Sequence, residues 1–243
     1  MRQVPHYLII GNGRVARHIQ YYFSLLRLSC TSWHRQEALS KLHQERDRAT
    51  HILLLISDRA IECFVAEYLS KFSSMLIHFS GSVVSEHVFG AHPLMTFSES
   101  LYDLEHYQAI PFILDHDAPT MDKLLPGLPN QHVRLHTSQK QKYHALCVLS
   151  GNFSCMLWQK FFHMLENEFN IPRSIAYLYL QQQTKNLVTH AEYALTGPLV
   201  RGDKMTIEKN LLALNNDPFQ AVYKSFIACY QKMIHEEVRY EHI

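Results

Sequence analysis

The sequence predicts an α/β fold, a doubly wound and mostly parallel sheet followed by an all-helical C-terminal region, and three observations predict it. Over the first half of the chain short apolar runs alternate with amphipathic stretches, the βα pattern of a parallel sheet with helices on its faces. The run "THILLLIS" (residues 50–57) is unbroken and closed by Ser57 and Asp58, as a strand buried on both faces requires. After Thr137 no β-type alternation returns. Apolar and aromatic positions then recur at helical spacing (Tyr143, Leu146, Leu157, Phe161, Leu165) and predict a buried face. The change of pattern divides the chain into residues 1–138 and 139–243.

Taken in order, "HYLII" reads as a buried strand entering a turn at Gly11, and Arg14 to Leu26 as a helix. "LSCTSW" is a second strand, with a short helix from Gln36 to His43 after it. Asp58 is placed to cap a helix running to Phe72, and the strand "MLIHFS" then leads to a turn around Gly81. "AIPFILD" and "HVRLHT" are later strands flanking a short helix from Pro119 to Leu125. Ser138 can cap the long helical stretch, "NIPRS" interrupts it, and Asp217-Pro218 gives the last helix a strong start. Gly90 and Gly127 read as ordinary turn glycines.

Composition limits the function. Hydrophobic residues are 47% and charged residues 19% of 243, enough apolar material for a substantial core. Lys and Arg number 23 against 22 acidic residues, with no basic block to neutralise a row of phosphates, so nucleic acid is not an expected partner. The longest apolar run, Ile52 to Ile56, is far short of the ~20 residues that span a bilayer, and residues 7–10 are too few for a signal-peptide core. A soluble, cytoplasmic protein with no membrane partner is expected. The five cysteines are scattered without C-x-x-C spacing and are expected to be buried free thiols. Seventeen histidines invite a metal. The tail "HEEVRYEH" is not H-E-x-x-H, however, and none is expected.

Gly11-Asn12-Gly13-Arg14-Val15-Ala16 follows a predicted strand and opens a predicted helix, the context of a Rossmann-like G-x-G-x-x-[GA] turn. The first glycine makes the turn, the second admits a pyrophosphate, and the small last residue lets helix and strand pack, with phosphate on the helix N-terminus. The bland alternative is a tight βα turn without ligand. The second strand ends in Trp33-His34-Arg35 with no carboxylate to read a ribose 2′-hydroxyl. Arg35 could pair with a 2′-phosphate, with Trp33 or His34 against the adenine, so NADP is expected and NAD is less favoured. Ser57-Asp58 and Ser80-Gly81-Ser82 lie at the carboxyl ends of two predicted strands, where open α/β folds bind ligands, and His92-Pro93 follows. His144 and Asn152, eight apart, are polar among apolar neighbours and can share a broad helical face, either as a hydrogen-bonded pair or as a substrate site. "LTGPLVRGD" gathers Thr196, Arg201 and Asp203 between helices. There Arg201 suits a carboxylate or phosphate, an ion pair being its plainer use, and Asp203 suits a helix cap.

Together "GNGRVA", "WHR", "LLLISDRAI", "HFSGS", "AHPLMTF", "KYHALCVLSGNF" and "ALTGPLVRGD" resemble, over nearly the whole chain, a family of Rossmann-like proteins of undefined function. That family is similar to pyrroline-5-carboxylate reductase, deazaflavin-dependent NADP reductases and 6-phosphogluconate dehydrogenase. The resemblance implies an N-terminal NADP-binding domain, a 6-phosphogluconate dehydrogenase-like helical domain that forms a homodimer, and an active site in the cleft between them. It implies cofactor contacts at Gly11, Asn12, Gly13, Arg14, Val15, His34, Arg35, Ser57 and Asp58. Substrate contacts are implied at Ser80, His92, Thr196, Arg201 and Asp203. Related hydroxyacid dehydrogenases place a lysine four residues before an asparagine, and here Val148 stands four before Asn152. His144, or Lys142 in its place, is then expected to handle the proton, with Asn152 orienting the reacting atom. The expected function is NADP-dependent hydride transfer to or from a small carbonyl, imine or alcohol, the alternative a non-catalytic NADP-binding or redox-sensing dimer.

Overall fold

The computed structural model describes residues 4–240, with side chains characterised through Ile234. Its first compact unit extends to Trp158 and is built on one seven-stranded sheet of order β2-β1-β3-β4-β5-β6-β7. The strands are β1 (His6–Ile10), β2 (Ser29–Trp33), β3 (His51–Leu54), β4 (Met75–His78), β5 (Phe89–Pro93), β6 (Phe112–Asp115) and β7 (His132–Leu135). β1 to β5 run parallel, while β6 opposes β5 and pairs parallel with β7. The strand sequence reverses direction at the β1/β3 boundary, which is the switch point where such sheets bind ligands.

Alternation along each strand sends side chains to two cores. Tyr7, Ile9, Leu53, Ile77, Ala91, Phe112 and Leu114 face one side, where α1 (Arg14–Leu25) contributes Ile19, Tyr22 and Phe23. Leu8, Ile10, Ile52, Leu54 and Leu76 face the other, with Leu42 of α2 (Leu39–Arg48) and Ile61 of α3 (Asp58–Phe64). Covering both faces satisfies the apolar runs of the central strands.

Several expected bounds shift for local reasons. The helix after β2 begins at Leu39, because Glu37 N–H donates to the His34 carbonyl in a turn first and the Glu37 carboxylate accepts from the His34 N–H. The helix from Asp58 changes after Phe64 into a π-helical turn, Val65–Leu69. Ser57 rather than Asp58 stands at its cap, and neither side chain caps it. The sequence reading omitted β5 and α4 (Leu104–Ala109), and α5 is only Met121–Leu124.

Among the described residues, helices alone follow β7. After a 3₁₀ turn at Thr137–Gln139 come α6 (Lys140–Cys147), a π-helical stretch at Val148–Phe153, and α7 (Ser154–Asn167). The two compact units divide at Trp158/Gln159, within α7. The second unit carries the rest of α7, α8 (Tyr177–Thr189), α9 (Lys204–Ala213) and α10 (Phe219–Tyr240). Asp217 caps α10 by accepting from Phe219 N–H at 2.8 Å, as its Asp-Pro start predicts. Among the described residues of this unit only Leu165 and Ala176 are buried. The expected apolar face is largely outward, since Leu146, Leu157 and Phe161 are exposed.

All five cysteines are free, but Cys63, Cys155 and Cys229 are exposed, which corrects the expectation of buried thiols. No described helix is long and apolar enough to cross a membrane.

Candidate functional site at the strand ends

Gly11 holds φ +129, and a Cβ there would fall 2.3 Å from the Leu55 carbonyl oxygen, so the β1–α1 turn closes directly on the end of β3. Only glycine meets both conditions. Gly13 differs, because a Cβ on it meets nothing within 4 Å. It is the α1 N-cap and makes no side-chain cap bond, so neither a Cβ nor a cap side chain covers the first turn there. Ala16 is fully buried where helix and strand meet, and Val15 packs on the same core. These features give the turn the shape of an anion cradle.

The side chain of Arg14 is turned away from that cradle. It pairs with Glu99 at 2.8 Å and donates to the Phe97 carbonyl at 3.3 Å, and Arg17 joins the same carboxylate at 2.6 Å. The two guanidiniums hold the Glu99 carboxyl below the usual range. At the end of β2, Trp33 is core. Its indole donates to the Ala38 carbonyl and packs on Phe64, which removes it as an adenine platform. His34 is half-buried, and Arg35 is exposed without an ion-pair partner among the described residues. Glu37, close by in sequence, is occupied by Lys41 and the His34 N–H, and these lower its carboxyl.

Asp58 accepts from the hydroxyls of Ser80 at 2.7 Å and Ser82 at 3.0 Å, tying the end of β3 to the end of β4. Ser80 in turn accepts from the backbone of Ser82 and Val83, so its oxygen is already held from four sides within the turn.

Beyond these lies a cluster the sequence reading missed. His78, Gly90, His92 and Asp115 lie on one face of β4, β5 and β6, by alternation with Ile77, Ala91 and Leu114 on the other. α6 covers them with a polar stripe, Lys140, Tyr143, His144 and Cys147, at spacings i, i+3, i+4 and i+7. Lys140 Nζ stands 2.6 Å from Asp115 Oδ1, both side chains nearly inaccessible, and Asp115 Oδ2 accepts from Gly90 N–H at 2.6 Å. The ammonium meets the carboxylate as an ion pair but off the hydrogen-bond direction, and both Lys140 Nζ and His78 Nε2 are buried without a hydrogen-bond partner among the described residues. Gly90 is no ordinary turn glycine. A Cβ there would lie 2.5 Å from Lys140 Nζ and 2.7 Å from both Asp115 oxygens. Burial, aided by Lys140, pushes the His78 imidazole down to about 4.

Further along the stripe, His92 Nδ1 is 2.9 Å from the Tyr143 hydroxyl. His144 stands edge-on to His92, with ring centroids 6.2 Å apart. Both imidazoles crowd Gly81, where a Cβ would be 2.7 Å from His144 Cδ2 and 3.3 Å from His92 Nε2. Burial first, then His144 and Lys140, brings His92 down to about 4. Asn152 lies on the π-helical stretch and is exposed. Eight residues of helix, π-helical from Val148, separate it from His144, so the two do not meet at one small centre. The i, i+3, i+4, i+7 polar stripe was the readable signal for Lys140 and Tyr143. Nothing local in the sequence points to Asp115 as the partner of Lys140.

Thr196, Arg201 and Asp203 belong to the second unit. Asp203 caps α9, accepting from Thr206 N–H at 3.0 Å and from its hydroxyl at 2.7 Å, and these bonds lower its carboxyl. Gly197 and Gly202 take positive φ, and Thr196 lines a cavity of about 100 Å³ with Pro198, Leu199, Tyr223 and Phe226. Among the described residues no group of three or more His, Cys, Asp or Glu could hold a metal, and the His235 and His242 side chains of the tail lie outside the described residues.

Comparison with known proteins finds a match of residues 113–228 to the model of a domain of unknown function, DUF2520. Among solved structures, a Bacteroides fragilis protein provisionally described as an NADP oxidoreductase is similar with TM-score 0.76 and 18% identity, over 94% of this chain and 98% of that one. A Thermotoga maritima protein of unstated activity follows at TM-score 0.64 and 20% identity, over 95% and 99%. A reductive aminase from Aspergillus terreus, in complex with NADPH and ethyl levulinate, matches at TM-score 0.62 and 13% identity, over 96% and 95%. These likenesses establish the Rossmann-like fold. No curated protein matches the chain.

Proposed function

We propose that the chain is an NADP-dependent oxidoreductase that transfers hydride between nicotinamide and a small carbonyl, imine or alcohol, and that it works as a homodimer. The observation that carries the reading is the β1–α1 turn at the switch point, closed by Gly11 and left open over Gly13 at an uncapped helix start. Gly11, Asn12, Gly13 and Val15 would hold the pyrophosphate by backbone groups, and Arg35 and His34 the adenosine end. Arg35 supports NADP over NAD, since an unpaired guanidinium suits a 2′-phosphate. Arg14 contributes its backbone N–H, its side chain being committed to Glu99. Asp58, Ser57 and Ser80 shape the β3 and β4 ends. The NADPH-bound reductive aminase of the same fold is consistent with this chemistry.

When bound, the cofactor would supply the hydride, and the chain's residues would supply orientation and a proton. His144 at Gly81 is the proton-exchanging group of this reading, with Asn152, farther along the helix, contacting substrate away from the reacting atom. Dimerisation is supported by the apolar row Leu146, Leu149, Phe153 and Met156, about half exposed at each position, and by a second unit whose described residues bury only Leu165 and Ala176.

The test is a thermal-shift comparison of NADPH with NADH. At 100 times the dissociation constant a bound ligand stabilises by about 2.7 kcal/mol, a readable shift. NADPH is expected to give the larger response, and Arg35→Asp to abolish the difference. Equal responses in the parent protein remove the argument for NADP, and no response to either removes the reading. Tight NADPH binding with no turnover on ketones, imines or deazaflavins would favour a binding or sensing module instead.

A further inference from the structure

The imidazole edge that faces Gly81 is chosen by a residue with no place in the reading above. In His92 the Nε2–Cδ2 bond lies opposite Nδ1, and both of those atoms are 3.3 Å from the Cβ position of Gly81. Nδ1, at the far side, is 2.9 Å from Tyr143 Oη. Cys147, one turn along α6, places its sulfur near the same phenol. Two proton arrangements fit the contact. In one, the phenol donates to His92 Nδ1. In the other, His92 Nδ1–H donates to the phenol oxygen, and the phenol's own proton is left to sulfur. The first uses a strong O–H···N bond, whereas the second rests on sulfur as a weak acceptor. The first therefore prevails, and a neutral imidazole that accepts at Nδ1 carries its single proton on Nε2.

We propose that Tyr143 is a positioning residue that locks His92 in the Nε2–H tautomer, so that His92 presents a fixed, uncharged hydrogen-bond donor to a substrate oxygen or nitrogen above Gly81. The inference rests on the oxidoreductase reading for the identity of that oxygen or nitrogen, not for the tautomer. His92 Nε2 has no hydrogen-bond partner among the described residues, so the donor is uncommitted. The low proton affinity of the buried ring keeps it neutral near pH 7, and only a neutral ring has a tautomer to select. A neutral imidazole is a weaker acid than imidazolium but stays matched to a developing oxyanion without losing its proton. His144, on the other side of Gly81, is then left the proton-exchanging task, and the two rings divide the work. Glycine at 81 lets both rings approach the turn with no side chain between them.

Nitrogen-15 NMR of the imidazoles in the full-length protein, without cofactor, tests this directly. The expected result is a His92 spin system with Nδ1 unprotonated and Nε2 protonated, unchanged between pH 6 and 8. In Tyr143→Phe the same ring is expected to show both nitrogens averaged between tautomers, and Tyr143→His, which keeps a donor, to restore part of the bias. A protonated Nδ1 in the parent protein overturns the proposal even if neither variant folds. So does a single unchanged tautomer in a folded Tyr143→Phe. Failure of NADPH to bind would instead remove the oxidoreductase reading and leave the tautomer result standing.

Discussion

Lys140 and Asp115 show how much one buried pair can fix. The pair is stable only while both partners are present, since truncating one leaves a charge in the core at a cost of about 3–5 kcal/mol. Lys140→Met is therefore expected to lower the urea midpoint severely. Gly90→Ala is expected to destabilise as well, because its methyl would enter the space between ammonium and carboxylate. A Gly90→Ala midpoint at or above the parent's would show that the pair has room to move. The imidazoles beside it set a pH dependence. His78 and His92 fall to about 4 in the folded chain against 6.5 for the free side chain, so as pH drops the unfolded chain binds protons first. Their contribution to stability is complete above about pH 6.5 and is lost as pH falls from 6.5 towards 4, on the order of 3 kcal/mol for each ring. Urea titrations at pH 7 and pH 5 read this as a falling midpoint, and His78→Gln should flatten the slope.

The β1–α1 turn allows two glycines to be separated by element geometry. Gly11→Ala meets a positive φ and the Leu55 carbonyl, so it is expected to destabilise the folded chain itself. Gly13→Ala meets nothing within the protein, so its thermal midpoint should match the parent's within a degree or two. Its added methyl would project into the cradle, and the NADPH shift should be lost. An unchanged NADPH response in Gly13→Ala would place the pyrophosphate elsewhere. The helical elements carry the complementary lesson. Spacing identified α6 and α7 but misassigned their faces, because hydrophobic periodicity locates a stripe without saying what covers it. On α6 the inward stripe is polar, and it meets a polar patch made by three strands distant in sequence. The π-helical stretch after it shifts the phase of the helix, so Asn152 does not continue the line of His144.

At the scale of the whole molecule, the contrast between the two units argues for a second copy. The sheet unit buries both of its faces, whereas the described part of the helical unit buries only Leu165 and Ala176. Full burial of a leucine or phenylalanine is worth about 1.5–3 kcal/mol, so the exposed row from α6 through the π-helical stretch into α7 represents a large unrealised gain. Light scattering is expected to give twice the 28.4 kDa chain mass, and Leu149→Glu with Phe153→Glu to shift the protein towards a monomer of lower thermal stability. A monomeric parent protein at micromolar concentration would exclude this assembly.

The sequence by itself determined the α/β class, the glycine turn between β1 and α1, and the caps at Asp203 and Asp217. Each of these rests on neighbours within a few residues, where backbone conformation and local hydrogen bonding decide the outcome. Only the tertiary structure decided that Trp33 is core, that Arg14 turns to Glu99, that Gly90 makes room for an ion pair, and that Tyr143 reaches His92 from 51 positions away. Those contacts depend on which strands become neighbours and which helix face covers them. Sheet order and helix phase are set by the sum of all packing contacts rather than by any short stretch of residues.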